Sequence, residues 1–225
     1  ILQVLDDLGL LGNGVEVPHY CWHPKLSVDG SCRLCQVEIE GVPKLQIACN
    51  TPVANGMKVH TKSERVVAAR RGVMELLLIN HPLDCPICDQ AGECKLQDHA
   101  FDWGVSAART TEPRRPAKKA VDLGPTIVFD QERCILCRRC VRACSYINGV
   151  EAISVVYRGF DAHIAFGADS VMADSPCEFC GSCVAVCPTA ALYPKMSLGQ
   201  GRAWQVQRVQ TVCAYCGVGC QLVLE

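Results

Sequence analysis

The chain has 225 residues, a formal net charge of −1 and 18 cysteines. A charge this close to zero argues against nucleic acid or an anionic membrane surface as the main partner. The longest apolar run, Leu76 to Ile79, is far shorter than the roughly 20 residues that cross a bilayer, so we expect no direct membrane insertion.

Residues 1–62 combine a predicted helix, a predicted β-hairpin and four spaced cysteines. The helix is predicted over Ile1–Leu10, and the strands over Gln36–Glu40 and Lys44–Ala48, where polar and apolar residues alternate. The long-gap spacing C-x10-C-x2-C-x13-C is typical of a [2Fe–2S] site in a β-grasp ferredoxin. The first hairpin of that fold is missing from the sequence. The predicted ligands are Cys21, Cys32, Cys35 and Cys49.

A second helix is predicted over residues 61–80, at the start of a helical module assigned to residues 63–108. Thr61 and Glu64 have the spacing of a capping box at its N-terminus. An apolar stripe through the helix predicts a packing role. Arg65, Arg70 and Arg71 are expected to face outward, and Pro82 is expected to end the helix.

A histidine in this module has the context of a cluster ligand. A lone histidine before proline is more often a turn residue, but here it precedes C-x2-C-x5-C by three intervening residues. Because imidazole is neutral and thiolate is anionic, histidine ligation should raise the potential of a [4Fe–4S] cluster, as it does in Rieske centres. The remaining histidines are interpreted as structural or surface residues. The predicted ligands are His81, Cys85, Cys88 and Cys94.

Residues 125–194 contain an internal repeat in which C-x2-C-x2-C-x3-C occurs twice. Bacterial ferredoxins bind [4Fe–4S] clusters with this run, and the fourth cysteine of each run ligates the other cluster. We therefore predict two cross-linked sites in one two-cluster ferredoxin domain. The first set is Cys134, Cys137, Cys140 and Cys187, and the second is Cys177, Cys180, Cys183 and Cys144.

Two predicted linkers, residues 109–124 and 195–209, flank the repeat. The first is basic and contains proline, so we interpret it as a surface linker, with docking through Arg114, Arg115, Lys118 and Lys119 as the alternative. Residues 210–225 carry C-x2-C-x3-C, a site without its last ligand here. Because the chain starts inside a predicted helix and stops soon after this run, we expect part of a longer polypeptide. The last cysteines are Cys213, Cys216 and Cys220.

Cysteine at this density also occurs in disulfide-rich secreted proteins and in zinc ribbons. No secretory signal is visible, and paired C-x2-C spacings favour a metal. Zinc is the main alternative, although the ferredoxin-type runs favour iron–sulfur ligation. So many thiolates imply a reducing compartment, and we expect a cytoplasmic location. Because modules this small bury little apolar surface, cluster ligation should supply much of the folding free energy.

Two segments resemble known families. His81–Cys94, HPLDCPICDQAGEC, resembles the His-Cys cluster motif of the complex I large iron–sulfur subunit, which NAD-linked hydrogenases and NAD-dependent formate dehydrogenases share. Thr211–Cys220, TVCAYCGVGC, is similar to the first [4Fe–4S] segment of molybdopterin-dependent formate dehydrogenases. Both ferredoxin runs are complete, whereas the complex I subunit usually keeps only part of the second. The chain therefore resembles the N-terminal electron-relay portion of a formate dehydrogenase alpha subunit.

This resemblance implies an α+β fold. Its parts are a β-grasp [2Fe–2S] ferredoxin domain, a helical [4Fe–4S] module with one histidine and three cysteine ligands, a two-cluster bacterial-ferredoxin domain and the start of a molybdopterin oxidoreductase [4Fe–4S] domain. It implies one [2Fe–2S] cluster, three complete [4Fe–4S] clusters and a fourth without its last ligand. A molybdenum or tungsten bis-pterin is expected downstream, and FMN and NAD in a partner. No residue here is a candidate general acid, base or nucleophile.

The resemblance also implies a hetero-oligomer, which could itself be dimerised. Its expected partners are a flavin- and NAD-binding iron–sulfur subunit and a small [2Fe–2S] subunit. Three alternatives stay open: an NAD-linked hydrogenase subunit, an arm of a complex I-like NADH:quinone oxidoreductase, and a ferredoxin-like carrier. An iron-only hydrogenase would carry further cysteine motifs downstream, and a nickel–iron diaphorase subunit usually stops before the last run. A complex I-like arm would need membrane partners.

Overall fold

The computed structural model describes residues 1–104, 109–119, 121–167, 169 and 172–224. Within these ranges, short helices alternate with small sheets, and every pair of named strands is antiparallel. The predicted mixture of helices and strands is therefore confirmed. No helix in these ranges has the length and apolar character needed to cross a bilayer.

The N-terminal unit is built on a three-stranded sheet with the order β2-β1-β3. Strand β1 spans Gln36–Ile39, β2 spans Gln46–Ile47 and β3 spans Val59–His60. Val37 and Ile39 are buried while their neighbours are partly exposed, which is the alternation that the sequence showed. The predicted hairpin of β1 and β2 is confirmed.

Helix α1 packs against this sheet and spans Leu2–Asp7, which is shorter than the predicted Ile1–Leu10. The backbone N–H of Leu2 donates to the carbonyl oxygen of Ala48 at 2.9 Å. Leu2 and Ala48 are both fully buried in one core with β1. The start of the chain is thus fixed directly before Cys49.

Helix α2 spans Glu64–Leu78. Its N-cap is Ser63, whose Oγ accepts a hydrogen bond from the backbone N–H of Val66 at 3.4 Å. The predicted capping box with Thr61 is therefore wrong, because the helix begins only at Glu64. A serine at the N-cap satisfies one of the backbone donors that the first turn leaves free.

One arginine of α2 is buried, contrary to the expectation that all three face outward. Arg70 is fully buried, whereas Arg65 and Arg71 are exposed. The Nη2 of Arg70 donates to the carbonyl oxygen of Gln36 at 2.8 Å, and its guanidinium lies 4.7 Å from the ring centre of Trp103. Burial lowers its pKa to about 10, so it stays charged at neutral pH.

Helix α3 spans Lys95–Trp103, and a 3-10 turn over Cys85–Ile87 precedes it. The two helices enclose a buried core that contains residues of three predicted modules. Since this core is continuous, the cysteine loops of different modules lie against one another. Its buried members are Tyr20, Cys21, Leu34, Met74, Cys94, Leu96, Trp103 and Cys137.

The second half contains two more sheets. Strands β4 (Val121–Asp122), β5 (Ile127–Phe129) and β8 (Leu192–Pro194) form one sheet in the order β4-β5-β8. Strands β6 (Ile153–Val156) and β7 (His163–Phe166) form the other. The first and last strands of the repeat thus pair with each other, which brings its two cysteine runs together.

The internal repeat predicted from the cysteine spacing extends to the backbone. Helix α4 spans Arg139–Arg142 and helix α5 spans Ser182–Ala185. These four-residue helices occupy equivalent positions in the two runs. In the first run a π-helical turn over Ala143–Ile147 follows α4 directly.

The first predicted linker is bound to the folded units by ion pairs. The guanidinium of Arg109 lies 2.6 Å from the carboxylate of Glu75, which is buried. The Nζ of Lys119 lies 2.9 Å from Glu132 and 3.0 Å from Asp84. Lys119 is therefore engaged within the chain. A docking role for Arg114 and Lys118 stays a prediction.

The second predicted linker packs on the loop that carries Cys85, Cys88 and Cys94. The backbone N–H of Gly199 donates to Asp89 at 2.8 Å. The ring of Trp204 covers Gly92 so closely that a Cβ there would lie 2.5 Å from the ring. After this segment, strands β9 (Val209–Val212) and β10 (Gln221–Leu224) form an exposed hairpin.

Replacing Arg70 with alanine should destabilise the protein by about 2–4 kcal/mol, since the change removes a buried hydrogen bond and leaves a cavity beside Trp103. Arg71→Ala is the matched control in the same helix and should change stability by less than about 0.5 kcal/mol, because that side chain is exposed. The midpoints of anaerobic urea unfolding measure both effects. Equal midpoints for the two variants would contradict the buried position of Arg70.

Candidate iron–sulfur sites

The four cysteines predicted for the first site converge. The thiol of Cys21 hydrogen-bonds with those of Cys32 and Cys49, and the thiol of Cys35 with that of Cys49. Cys35 directly precedes β1, and Cys49 closely follows β2, so the hairpin fixes their separation. The backbone N–H of Ala48 donates to the carbonyl oxygen of Cys35 at 2.8 Å. Four sulfurs thus meet in one compact group.

The electrostatics of this group favour thiolates. Hydrogen bonds from Cys32 and Cys49 lower the pKa of the Cys21 thiol, and backbone N–H groups of Cys32 and Gly30 add to the effect. A hydrogen bond from Cys49 likewise lowers the pKa of Cys35. Gly30 has a φ of +72°, a conformation that glycine adopts without strain. Backbone donors aimed at sulfur are typical of iron–sulfur loops and tune the cluster potential.

The second predicted ligand set lines a cavity of about 290 Å³. A water molecule occupies about 30 Å³ in the liquid, so the cavity holds a group much larger than one ion. Most of its remaining wall is apolar and comes from α2 and α3, including Leu78, Leu96 and Ala100. The four predicted ligands in its wall are His81, Cys85, Cys88 and Cys94.

His81 is held in the state that a metal ligand needs. Its Nδ1 is buried and has no hydrogen-bond partner in the described part of the chain. Burial lowers its pKa to about 4, so the imidazole is neutral at neutral pH. A buried, unpaired ring nitrogen is costly unless something binds it. The donor set and the cavity therefore fit a cluster.

The two ferredoxin-type runs share a loop geometry that the sequence did not reveal. Leu136 and Phe179, at equivalent positions, both have a φ near +55° (53° and 55°). Each donates its backbone N–H to the cysteine two residues earlier, Cys134 or Cys177, at 3.4 Å. Non-glycine residues rarely adopt this conformation. The repeated strain directs backbone donors at sulfur in both loops.

The structure also brings cysteines of the two runs together in the predicted cross-wise manner. The charge of Cys187 acts on Cys134, Cys137 and Cys140, although Cys187 belongs to the second run. Conversely, Cys144 acts on Cys177 and Cys183. The fourth cysteine of each run therefore lies beside the other run.

Burial raises the pKa of Cys134 to about 12, of Cys137 to about 11 and of Cys183 to about 12. As free thiols these groups are neutral at neutral pH. Metal binding deprotonates such a thiol and supplies the positive charge that its buried thiolate lacks. In the described ranges, no three His, Cys, Asp or Glu side chains converge as ligands of one metal ion.

The last three predicted ligands lie at the surface. Cys213 is partly exposed, and Cys216 and Cys220 are exposed, in the turn between β9 and β10. The backbone N–H of Cys213 donates to the carbonyl oxygen of Cys220 at 2.8 Å, so the hairpin brings the two ends of the run together.

Other histidines make contacts that suit the structural role expected of them. The ring of His19 packs edge-on against Trp22, and that of His99 against Tyr20. The ring of His60 lies beside Glu40. Burial lowers the pKa of His99 to about 4, so this residue is neutral as well.

Arginines near the ligand loops were missed by the sequence analysis. Arg70 donates to the carbonyl next to Cys35, and Arg202 donates to the carbonyls of Cys88 and Pro86. Arg139 and Arg142 donate to carbonyls of the loop that contains Cys21. The positions of the last two within a cysteine run were the only local signal.

Comparison with known families identifies three regions. Residues 9–64 match the 2Fe-2S iron-sulfur cluster binding domain, and residues 70–109 match the NADH-ubiquinone oxidoreductase-G iron-sulfur binding region. Residues 124–193 match the ferredoxin-like domain of NADH-quinone oxidoreductase subunit 3.

Longer relatives align over nearly the whole chain. NADPH-Fe(3+) oxidoreductase subunit alpha of Geobacter sulfurreducens is 44% identical over 219 residues, which is 97% of this chain and 25% of that protein. The NADH-quinone oxidoreductase G 2 subunit of Rhizobium meliloti is 41% identical over 212 residues, 94% of this chain and 24% of that protein. The chain thus spans about a quarter of the length of these relatives.

A solved structure shows the same fold at high coverage. It is a crystal structure of an NAD+-reducing [NiFe]-hydrogenase in the H2-reduced state, with a TM-score of 0.74 and 33% sequence identity. The match covers 84% of this chain and 80% of that chain. The chain therefore belongs to the NADH-quinone oxidoreductase G family of iron–sulfur proteins and corresponds to their N-terminal region of [2Fe–2S] and [4Fe–4S] domains.

Proposed function

We propose that this chain is the multi-cluster electron relay of an NAD-linked formate dehydrogenase. It would carry electrons between a molybdenum or tungsten bis-pterin formate site and a partner subunit that holds FMN and NAD(H). The observation that carries the relay is the shared core of Cys21, Cys94 and Cys137, which belong to three different predicted ligand sets. Sites that share a core lie close enough for electrons to pass between them.

The proposed ligand sets are those of the sequence prediction. One [2Fe–2S] cluster would be held by Cys21, Cys32, Cys35 and Cys49, and three [4Fe–4S] clusters by the His81 set and the two crossed sets. A further cluster on Cys213, Cys216 and Cys220 would take its last ligand from outside this chain. When bound, the clusters supply one-electron transfer. The protein's residues hold the sulfurs, exclude water and direct backbone N–H groups at the thiolates.

The proposed setting is cytoplasmic, in a hetero-oligomer with a flavin- and NAD-binding iron–sulfur subunit and a small [2Fe–2S] subunit. The formate assignment is supported by the resemblance of Thr211–Cys220 to molybdopterin-dependent formate dehydrogenases and by the two complete ferredoxin runs. The exposed hairpin that carries Cys213 suits a site at a boundary with another domain.

A second candidate is the iron–sulfur subunit of an NAD-linked hydrogenase. The similarity to the NAD+-reducing [NiFe]-hydrogenase structure, with a TM-score of 0.74, favours it. In this case the relay would be the same, and hydrogen rather than formate would be the electron donor.

Elemental mass spectrometry of the purified native complex distinguishes these candidates. The formate dehydrogenase proposal predicts near-stoichiometric molybdenum or tungsten per chain, together with formate-dependent reduction of NAD. Nickel without molybdenum or tungsten, and NAD reduction driven by hydrogen, would replace the first candidate with the second.

Replacing His81 with cysteine should keep a [4Fe–4S] cluster but lower its reduction potential, because an anionic thiolate takes the place of a neutral imidazole. Anaerobic redox titration followed by EPR measures the shift. His60→Cys is a suitable control, since His60 is exposed and pairs with Glu40 outside the predicted sites. An unchanged potential in the His81 variant would remove this residue from the ligand set.

Two reciprocal serine variants test the crossed sets. Cys187→Ser should damage the cluster on Cys134, Cys137 and Cys140 more than its neighbour, and Cys144→Ser should do the reverse. The readout is the loss of the matching EPR signal and of iron per chain. If each variant instead damaged the cluster of its own run, the crossed assignment would be refuted.

A further inference from the structure

One guanidinium lies between two of the proposed cluster sites. Arg142 is only 5% exposed and stands between Cys140 and Cys144 in the first ferredoxin-type run. Its Nη2 donates to the carbonyl oxygen of Cys21, which is 121 positions away in the sequence, and to that of Cys137 at 3.2 Å. One side chain thus joins the backbones of two predicted ligands that belong to different clusters.

The same contact holds the two modules together. The Nη1 of Arg142 donates to the carbonyl oxygen of Ser27, further along the loop that starts at Cys21. Next to it, the Nη2 of Arg139 donates to the carbonyl oxygen of Trp22 at 2.5 Å. Both arginines lie on α4, so this short helix fixes the cysteine loop of the N-terminal unit against the ferredoxin-type unit.

The charge of Arg142 also needs an explanation. Arginine keeps its proton in proteins, so a buried guanidinium is a permanent buried cation. In the described part of the chain its hydrogen bonds go to carbonyl oxygens, and its Nε is buried without a partner. A buried charge is stable only when an opposite charge compensates it. Clusters ligated by thiolates on both sides would supply that negative charge.

We infer that Arg142 is a positioning residue that couples the [2Fe–2S] site of Cys21 to the [4Fe–4S] site of Cys137. It fixes the separation of the two clusters through its fork of hydrogen bonds. Its charge favours the reduced, more negative form of both clusters and so raises both potentials. This inference rests on the proposed ligand sets, and it adds a residue that is not itself a ligand.

The test uses the full-length holoprotein with two substitutions at one position. Arg142→Gln removes the charge and shortens the donor group, and Arg142→Lys keeps the charge but loses the planar fork. Arg138→Gln is the matched control, because Arg138 lies in the same run and is exposed. EPR redox titration gives the potentials, and the magnetic interaction between the two reduced clusters reports their separation. The potential of the His81 cluster is the internal reference.

Arg142→Gln is expected to lower both potentials together and to change the magnetic interaction, with the His81 cluster unchanged. Arg142→Lys is expected to restore the potentials in large part while the interaction stays altered. Arg138→Gln is expected to shift the potentials less, because solvent screens its charge. If Arg142→Gln loses iron from these two sites alone, the inferred role in holding them together is supported, and Arg142→Lys then provides the potentials.

Unchanged potentials and an unchanged interaction in both Arg142 variants would overturn the inference. So would shifts of the same size in the Arg138 variant. The failure of the proposed function looks different, because the unsubstituted protein would then lack the two cluster signals. Intact clusters with no response to Arg142 would refute this inference alone.

Discussion

Burial of cysteine thiols is the constraint on which the rest of this structure depends. Each of the three hydrophobic cores in the described ranges contains cysteines at predicted ligand positions, so the cluster sites lie inside the cores that hold the modules together. A buried thiol contributes little packing, and a buried thiolate needs a compensating charge. The fold is therefore complete only when the clusters are bound. The cysteines concerned are Cys140, Cys144 and Cys183, then Cys35 and Cys49, then Cys21, Cys94 and Cys137.

The supporting groups follow from this constraint. Backbone N–H groups point at sulfur in the N-terminal loop and in both ferredoxin-type loops, and the last two need residues with positive φ, Leu136 and Phe179. Arginine side chains bind carbonyls of the ligand loops, as Arg70 and Arg142 do. Together these groups add partial and full positive charge around sites that would carry negative charge. The arrangement suits a chain whose task is to hold clusters at set distances and potentials.

Much of the local structure was predictable, because the spacing of ligands and the alternation of β1 are local signals. The helical period also held a signal that was overlooked: Val66, Arg70 and Met74 are four residues apart and share a face, and all three are buried. Contacts such as that of Arg142 with Cys21 join residues 121 positions apart. No local pattern encodes a partner at that distance, and positive φ at Leu136 follows from the loop geometry, not from the residue type.

Mössbauer spectroscopy of the purified holoprotein, enriched in 57Fe, tests the central claim most directly. The account predicts separate signals from one [2Fe–2S] cluster and from at least three [4Fe–4S] clusters, one of which keeps an iron with a nitrogen ligand. Stoichiometric zinc in place of iron, or iron confined to one cluster type, would contradict it.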